Sequence, residues 1–246
     1  MRVQMPLQPT GPVRKTLKAK IKNEDDLKRL LDALALDLGR VHDYLELFHK
    51  LMKAKRGRYT LALSQSQAFW SLVYGGLHDA AIAGLCRVYD QTNHDDVLTL
   101  RSLLETIQDR PDFLPASASL ITAVQLRRDI ASVSKEKSVA VAHLSKWRNK
   151  LYAHRDATKI LGGRTLADDA PLTYRDINVL VRRAFRIVNR YGKILFRSTY
   201  MARGLVGRDD YLALLKTLQT EARVATQWAH SGHRRTKAPR HPLRKT

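Results

Sequence analysis

Apolar residues recur along the chain at helical spacing. From Leu27 they fall at Leu31, Leu34, Leu38, Val41, Leu45, Phe48 and Met52. The steps alternate three and four, which predicts a helix of ~50 Å at ~1.5 Å per residue with a seam of the coiled-coil type. Asn23 stands where an N-cap belongs, with Asp25 and Asp26 in the first turn, where negative charge suits the helix dipole. Gly57, after a basic run, suits the end. A second helix is expected from about 61 to 90, with Phe69, Trp70, Val73, Leu77, Ala80, Ala81, Leu85 and Val88 as its buried stripe. Gly75, Gly76, Ala83 and Gly84 suggest that another helix approaches it closely, which would offset the ~1 kcal/mol that each mid-helix glycine costs. A short helix follows over 97–108, stopped before Pro111.

A third long element is expected over about 117–156, carried by Leu126, Ile130, Val133, Ala140, Leu144, Trp147 and Leu151, with a bend near 134–138. Thr173 and Asp176 form a capping-box start for a fourth helix, whose apolar face is Ile177, Leu180, Val181, Ala184, Val188, Tyr191 and Leu195. A last helix spans about 209–228. Period-two alternation is absent, so no strand is expected. The fold class is all-α, an up-and-down bundle of four to five long helices. Residues 1–22 read as a flexible basic arm, 23–228 as the helical domain, and 229–246 as a disordered basic tail.

Charge narrows the partners. The chain has 246 residues, with 44 Lys and Arg against 23 Asp and Glu, a formal net charge of +21. So basic a chain favours a polyanion such as RNA, and a membrane-surface or DNA-packaging protein would share that charge. One cysteine, Cys86, excludes an intramolecular disulfide framework and any zinc site built on cysteines. No apolar run reaches a membrane span, and the N-terminus lacks a signal-peptide core. Neither G-x-G-x-x-G nor G-x-x-x-x-G-K occurs, so no nucleotide-binding loop is expected. The expectation is a cytoplasmic protein with no cofactor and no membrane partner.

The richest stretch is Trp147-Arg148-Asn149-Lys150-Leu151-Tyr152-Ala153-His154-Arg155-Asp156, at the end of the third element. An Arg, a polar residue and a His after five intervening positions resemble the signature of the HEPN superfamily. The ending Ala153-His154-x-Asp156 is similar to the abortive-infection AbiU-type branch, as is Leu85-Cys86-Arg87-Val88-Tyr89-Asp90 followed after a loop by Val97-Leu98-Thr99-Leu100. The resemblance implies helical domains that dimerise and often cut RNA without metal, with Arg and His of two protomers facing each other across a cleft. It places Arg148 and His154 as catalytic, with Asn149, Asp156 and Asp90 in support. It also implies a bacterial defence role, abortive infection or toxin–antitoxin, where a cognate antitoxin would be a further partner. HEPN members paired with nucleotidyltransferases carry a Tyr two residues after the His. Here Asp156 stands there, so regulation by AMP transfer is not expected.

The chemistry stands on its own terms. His exchanges a proton near neutral pH, and Arg holds a phosphate through two hydrogen bonds. Cleavage of RNA by its own 2′-hydroxyl needs both a proton acceptor and a cation at the phosphorane. Six residues of ideal helix leave Arg148 and His154 ~120° apart. Either the helix ends before His154, or the Arg of each protomer works with the His of the other. A surface Arg and a helix-terminal His would explain the same residues in a catalytically inactive dimer that serves as an RNA-binding or protein-interaction scaffold.

Other candidates are secondary. Arg175, Arg182, Arg183, Arg186, Arg190, Lys193 and Arg197 fall in an arc of ~100° on the fourth helix and form a candidate RNA-binding stripe. His94, Asp95 and Asp96 read as a solvated turn, and no metal site is expected. Trp70, Trp147, Trp228 and Cys86 read as core residues. Asp90 ends the second helix, where its charge opposes the dipole, and a partner such as Arg87 or Arg148 would offset that.

Overall fold

The computed structural model describes residues 21–91, 97–149, 166–200 and 210–234. Every regular element among them is helical and no strand occurs, so the fold is all-α, as the periodicity predicts. The helices are α1 (Glu24–Lys55), α2 (Thr60–Ser64), α3 (Gln67–Val88), α4 (Leu100–Asp109), α5 (Ala123–Val133), α6 (Val139–Trp147), α7 (Leu166–Asp169), α8 (Tyr174–Phe196) and α9 (Asp210–Arg234). Short 3₁₀ turns lie at Pro111–Phe113 and Ala116–Leu120.

The chain divides into two compact units, one of residues 1–41 and 82–201, the other of 42–81 and 202–246. In the first, the predicted seam of α1 is buried from Leu27 to Val41, together with Ile82, Leu85 and Val88 of α3 and the whole predicted apolar face of α8. Ile21, two positions before the expected boundary, is already buried. Asn23 caps α1 by accepting from the Asp26 amide at 2.9 Å, and Asp26 accepts from the Lys22 amide at 3.0 Å. Thr173 and Asp176 bond each other's amides at the start of α8. The Thr173 side chain and amide, bonded to the Asp176 carboxylate, hold its pKa below the usual carboxylate range. The second unit has its own core of Leu51, Tyr59, Leu63, Trp70, Tyr74 and Leu215. There α2 packs on α9, and the Ala62 amide donates to Gln219 at 3.0 Å.

Several expectations are corrected. The second predicted helix is broken at 65–66, where the Ser64 hydroxyl shares the Leu61 carbonyl with the Gln65 amide at the end of α2. The third is three pieces. Pro111 and Pro115 confine the chain to short turns, Thr122 caps α5, and Ser134 bonds Glu136 at 2.5 Å, so 134–138 is a break between helices. Phe69 and Trp228, expected inside, are 57% and 75% exposed. Gly75 and Gly76 have nothing within 4 Å of a built Cβ, whereas Gly84 does permit close approach, since its Cβ would overlap Val41. Helix α9 passes position 228 and ends at Arg234. Among the described residues no helix is long and apolar enough to cross a membrane.

Candidate functional site

Arg148 is the predicted site residue that the structure places most fully. Helix α6 positions it. Val141 and Leu144 bury one face of that helix, and the Trp147 indole donates to the Ala170 carbonyl at 2.7 Å. Beyond Trp147 the backbone widens into a π-type turn over 148–149, with the Arg148 amide shared between the carbonyls of Leu144 and Ser145. This carries Arg148 to the end of α3, where it forms an ion pair from Nη1 to Asp90 Oδ1. The two side chains are 26% and 16% exposed. Asp90 is thereby offset at a helix end that disfavours a carboxylate.

Asn149 holds the other edge of the same guanidinium. Its Oδ1 accepts from Arg148 Nε at 2.9 Å and from Nη2 at 2.7 Å. Three of the five guanidinium N–H groups are thus engaged within the chain. Two remain, one on each terminal nitrogen, and they make no hydrogen bond among the described residues. Such a pair matches two phosphate oxygens.

Cys86, Tyr89, Gln91, Leu144 and Ser145 line a small pocket with Asp90 and Arg148, of about 10 Å³. It holds about one water at most, so any ligand of Arg148 lies outside it. Burial pushes the Cys86 thiol up to about 12, Arg148 opposing and Asp90 adding to the shift. The thiol is a packing group that donates to the Leu144 carbonyl at 3.7 Å. Tyr89 is also pushed up, chiefly by burial, and donates to the Leu180 carbonyl at 2.7 Å.

Gln91 is a residue that sequence reasoning missed. Its Nε2 donates to the Val133 carbonyl at 2.9 Å and its Oε1 accepts from Arg101 at 3.0 Å. Arg101 also donates to Glu105 at 2.8 Å. The end of α3 is therefore tied to both α4 and α5. Only the polar character of Gln91 beside Asp90 signalled this in the sequence. His154 and Asp156 lie outside the described residues, as do His94, Asp95 and Asp96 and nearly all of the predicted arm and tail.

The stripe on α8 is narrower than the wheel arithmetic gives. Arg175, Arg182, Arg186, Lys193 and Arg197 are exposed. Arg190 turns inward instead and pairs with Asp129, which is 6% exposed and also accepts from the Tyr191 hydroxyl at 3.0 Å. Burial and Asp129 push the Tyr191 pKa up. Arg183 donates to the Ser132 carbonyl at 2.6 Å and to Ser138 at 3.0 Å. A buried carboxylate and a carbonyl at the C-terminal end of α5 recruit these two cations, so they leave the solvated face. Arg197 caps α8 at φ 52°, in the left-handed region, and so departs from the helical phase of the stripe.

Sequence reasoning also passed over His42, Asp43 and Glu46 in the second unit, whose ligand atoms lie within 4.8 Å of one another. Lys50 sits 3.1 Å from Glu46 and balances its charge. The group reads as an ion-pair cluster on one helix face.

No curated protein and no solved structure matches the chain. A family model described as AbiU2, of the HEPN group, matches residues 24–214, more than half of the chain. That span takes in α1 to α8, Asp90, Arg148 and the segment with His154, and the chain belongs to the HEPN AbiU2 family.

Proposed function

We propose that this protein is a metal-independent endoribonuclease of a bacterial defence type, acting as a homodimer with Arg148 and His154 at the reacting phosphate. The observation that carries this reading is the Arg148 guanidinium itself. Asp90 and Asn149 hold it from two sides, and among the described residues one N–H on each terminal nitrogen stays open to a ligand. Family membership supports the defence role. The chemistry divides between the two residues. His154 takes the proton of a ribose 2′-hydroxyl, whose oxygen forms a bond to the adjacent phosphorus. Arg148 donates to the phosphoryl oxygens as their charge grows. The bond from phosphorus to the 5′-oxygen breaks, and that oxygen leaves with a proton from solvent. The products are a 2′,3′-cyclic phosphate and a 5′-hydroxyl. The exposed Arg182, Arg186 and Lys193 of α8 would hold flanking phosphates.

Total RNA incubated with the purified protein in EDTA tests this reading. Cleavage should persist, with cyclic-phosphate or 3′-phosphate ends. Products with 3′-hydroxyl ends, formed only without chelator, would reject the mechanism. RNA binding with no cleavage by any preparation would favour the inactive scaffold.

A further inference from the structure

Asp90 lies two residues past the end of α3, where a helix leaves carbonyls without intrahelical partners. Its amide reaches back to the Arg87 carbonyl at 3.3 Å, beyond the usual range of a hydrogen bond. Tyr89 before it is held firmly, by a 2.9 Å bond to the Leu85 carbonyl and by its hydroxyl on the Leu180 carbonyl. Gln91 after it supplies the other anchor. Gln91 Nε2 donates to the carbonyls of Tyr89 at 3.1 Å, Asp90 at 3.4 Å and Val133 at 2.9 Å, so three acceptors share two N–H groups. Gln91 Oε1 accepts from Arg101 Nη1 at 3.0 Å.

Arg101 stands in the first turn of α4, where the helix dipole disfavours a cation. Its surroundings offset that cost. Its Nε donates to Glu105 at 2.8 Å, and its Nη1 lies 3.8 Å from Glu136, whose carboxylate accepts from the Ser134 hydroxyl. The C-terminal ends of α3 and α5, both negative poles, meet at Gln91, and Arg101 reaches them through the Gln91 oxygen. Only a group that donates on one side and accepts on the other fits between carbonyls and a guanidinium. A carboxylate at position 91 would accept from Arg101 but repel the carbonyls. An ammonium would bind the carbonyls but repel Arg101. The amide does both.

We propose that Gln91, held by Arg101, is a positioning residue for Arg148: it fixes the backbone at Asp90, and with it the carboxylate that orients the guanidinium. The contacts run from Arg101 through Gln91 and Asp90 to Arg148. They join the start of α4 to the ends of α3, α5 and α6, all within the first unit. The inference rests on the role given to Arg148 in the proposed function and extends it from the ion pair to the amide behind it.

Gln91→Ala and Gln91→Glu, each alone and combined with Asp90→Ala, test it in the full-length protein. In single-turnover cleavage of a short RNA, either Gln91 variant should lower the rate about tenfold, within the ~10²-fold that a misplacement of ~1 Å costs. KM and RNA affinity should stay within about twofold of wild type. In Asp90→Ala protein the same substitutions should change the rate by less than about twofold, because residues that act through one contact are not additive. Losses that multiply would place the action of Gln91 elsewhere and overturn the proposal. Gln91→Glu keeps the size of the side chain and the bond to Arg101, so it separates loss of the donor from loss of packing, and a wild-type rate for it would also overturn the proposal. A second measurement needs no RNA. The Arg148 Nε–H, donated to Asn149 at 2.9 Å, should exchange with water about tenfold faster in either Gln91 variant by nitrogen-15 NMR, with Arg190 beside Asp129 as the unaffected control. Wild-type exchange in a folded variant would reject the positioning role. If the wild type cuts no RNA, the nuclease reading fails, and the exchange rate alone decides whether Gln91 positions Arg148.

Discussion

Replacing Asp90 by Ala removes the carboxylate that holds Nη1 of Arg148 and leaves the contacts to Asn149 in place. A hydrogen bond to a charged group contributes roughly 1.5–3 kcal/mol, and breaking a fully buried ion pair costs about 3–5 kcal/mol. Exposed pairs contribute about 0–1 kcal/mol. Exposures of 16% for Asp90 and 26% for Arg148 put this pair between those limits. The expected loss is about 1–2 kcal/mol, or a fall of roughly 2–8 °C in the thermal midpoint for a chain of this size. Cleavage should suffer more than folding. A guanidinium held on one edge only samples positions about 1 Å from the productive one, and such misplacement costs up to about 10²-fold in rate. The assay is single-turnover cleavage of a short RNA at saturating protein, beside thermal unfolding. As a positioning residue, Asp90 should affect kcat and leave KM nearly unchanged, and Asp90→Glu should restore part of the rate. An Asp90→Ala protein that cuts RNA at the wild-type rate would refute the claim that this carboxylate positions Arg148.

Asp129 makes a different kind of contact, nearly buried and shared by Arg190, Tyr191 and Gln125. Asp129→Ala should cost about 3–5 kcal/mol in denaturant unfolding, and an effect below about 1 kcal/mol would contradict the inward role given to Arg190. Arg182→Ala with Arg186→Ala should weaken binding to all single-stranded RNA alike. The slope of log K against log salt should fall by about 0.7 per lost contact, whereas a change confined to certain sequences would point to base readout. The Cys86 thiol, pushed up to about 12 by burial, should resist alkylation at pH 8 in the native protein and react at once in denaturant. Because its folded pKa lies above the unfolded value near 9, the native state binds that proton more tightly. Stability should then fall as pH rises from about 9 toward 12, and Cys86→Ala should remove that part of the slope.

Periodicity made the first unit legible. The α1 seam to Val41, the apolar face of α8 and the caps at Asn23 and Thr173 follow from residue spacing and cap chemistry, and the structure has them. What periodicity missed were local hydrogen bonds that compete with a helix, as at Ser64 and Ser134, where hydroxyls satisfy or divert backbone groups. A wheel diagram could not separate the inward Arg190 from the outward Arg186, because the distinction lies in a carboxylate 61 positions away. The contact from Arg148 to Asp90 was one of two options the sequence left open, since helix-end electrostatics demand a cation but do not choose between Arg87 and Arg148. Phe69 and Trp228 misled because an apolar residue at helical spacing reads as core whether it faces its own chain or another surface. The Arg–His motif was legible only through its resemblance to a family, since its spacing has no unique meaning on an ideal helix.

Single-turnover cleavage by His154→Ala, measured beside RNA binding by the same protein, addresses the proposed chemistry most directly. If His154 moves the proton and Arg148 holds the phosphate, the rate should fall by ~10²–10⁴ while affinity stays within about twofold of wild type. A His154→Ala protein that is folded, binds RNA and cuts it at the wild-type rate would contradict the nuclease mechanism.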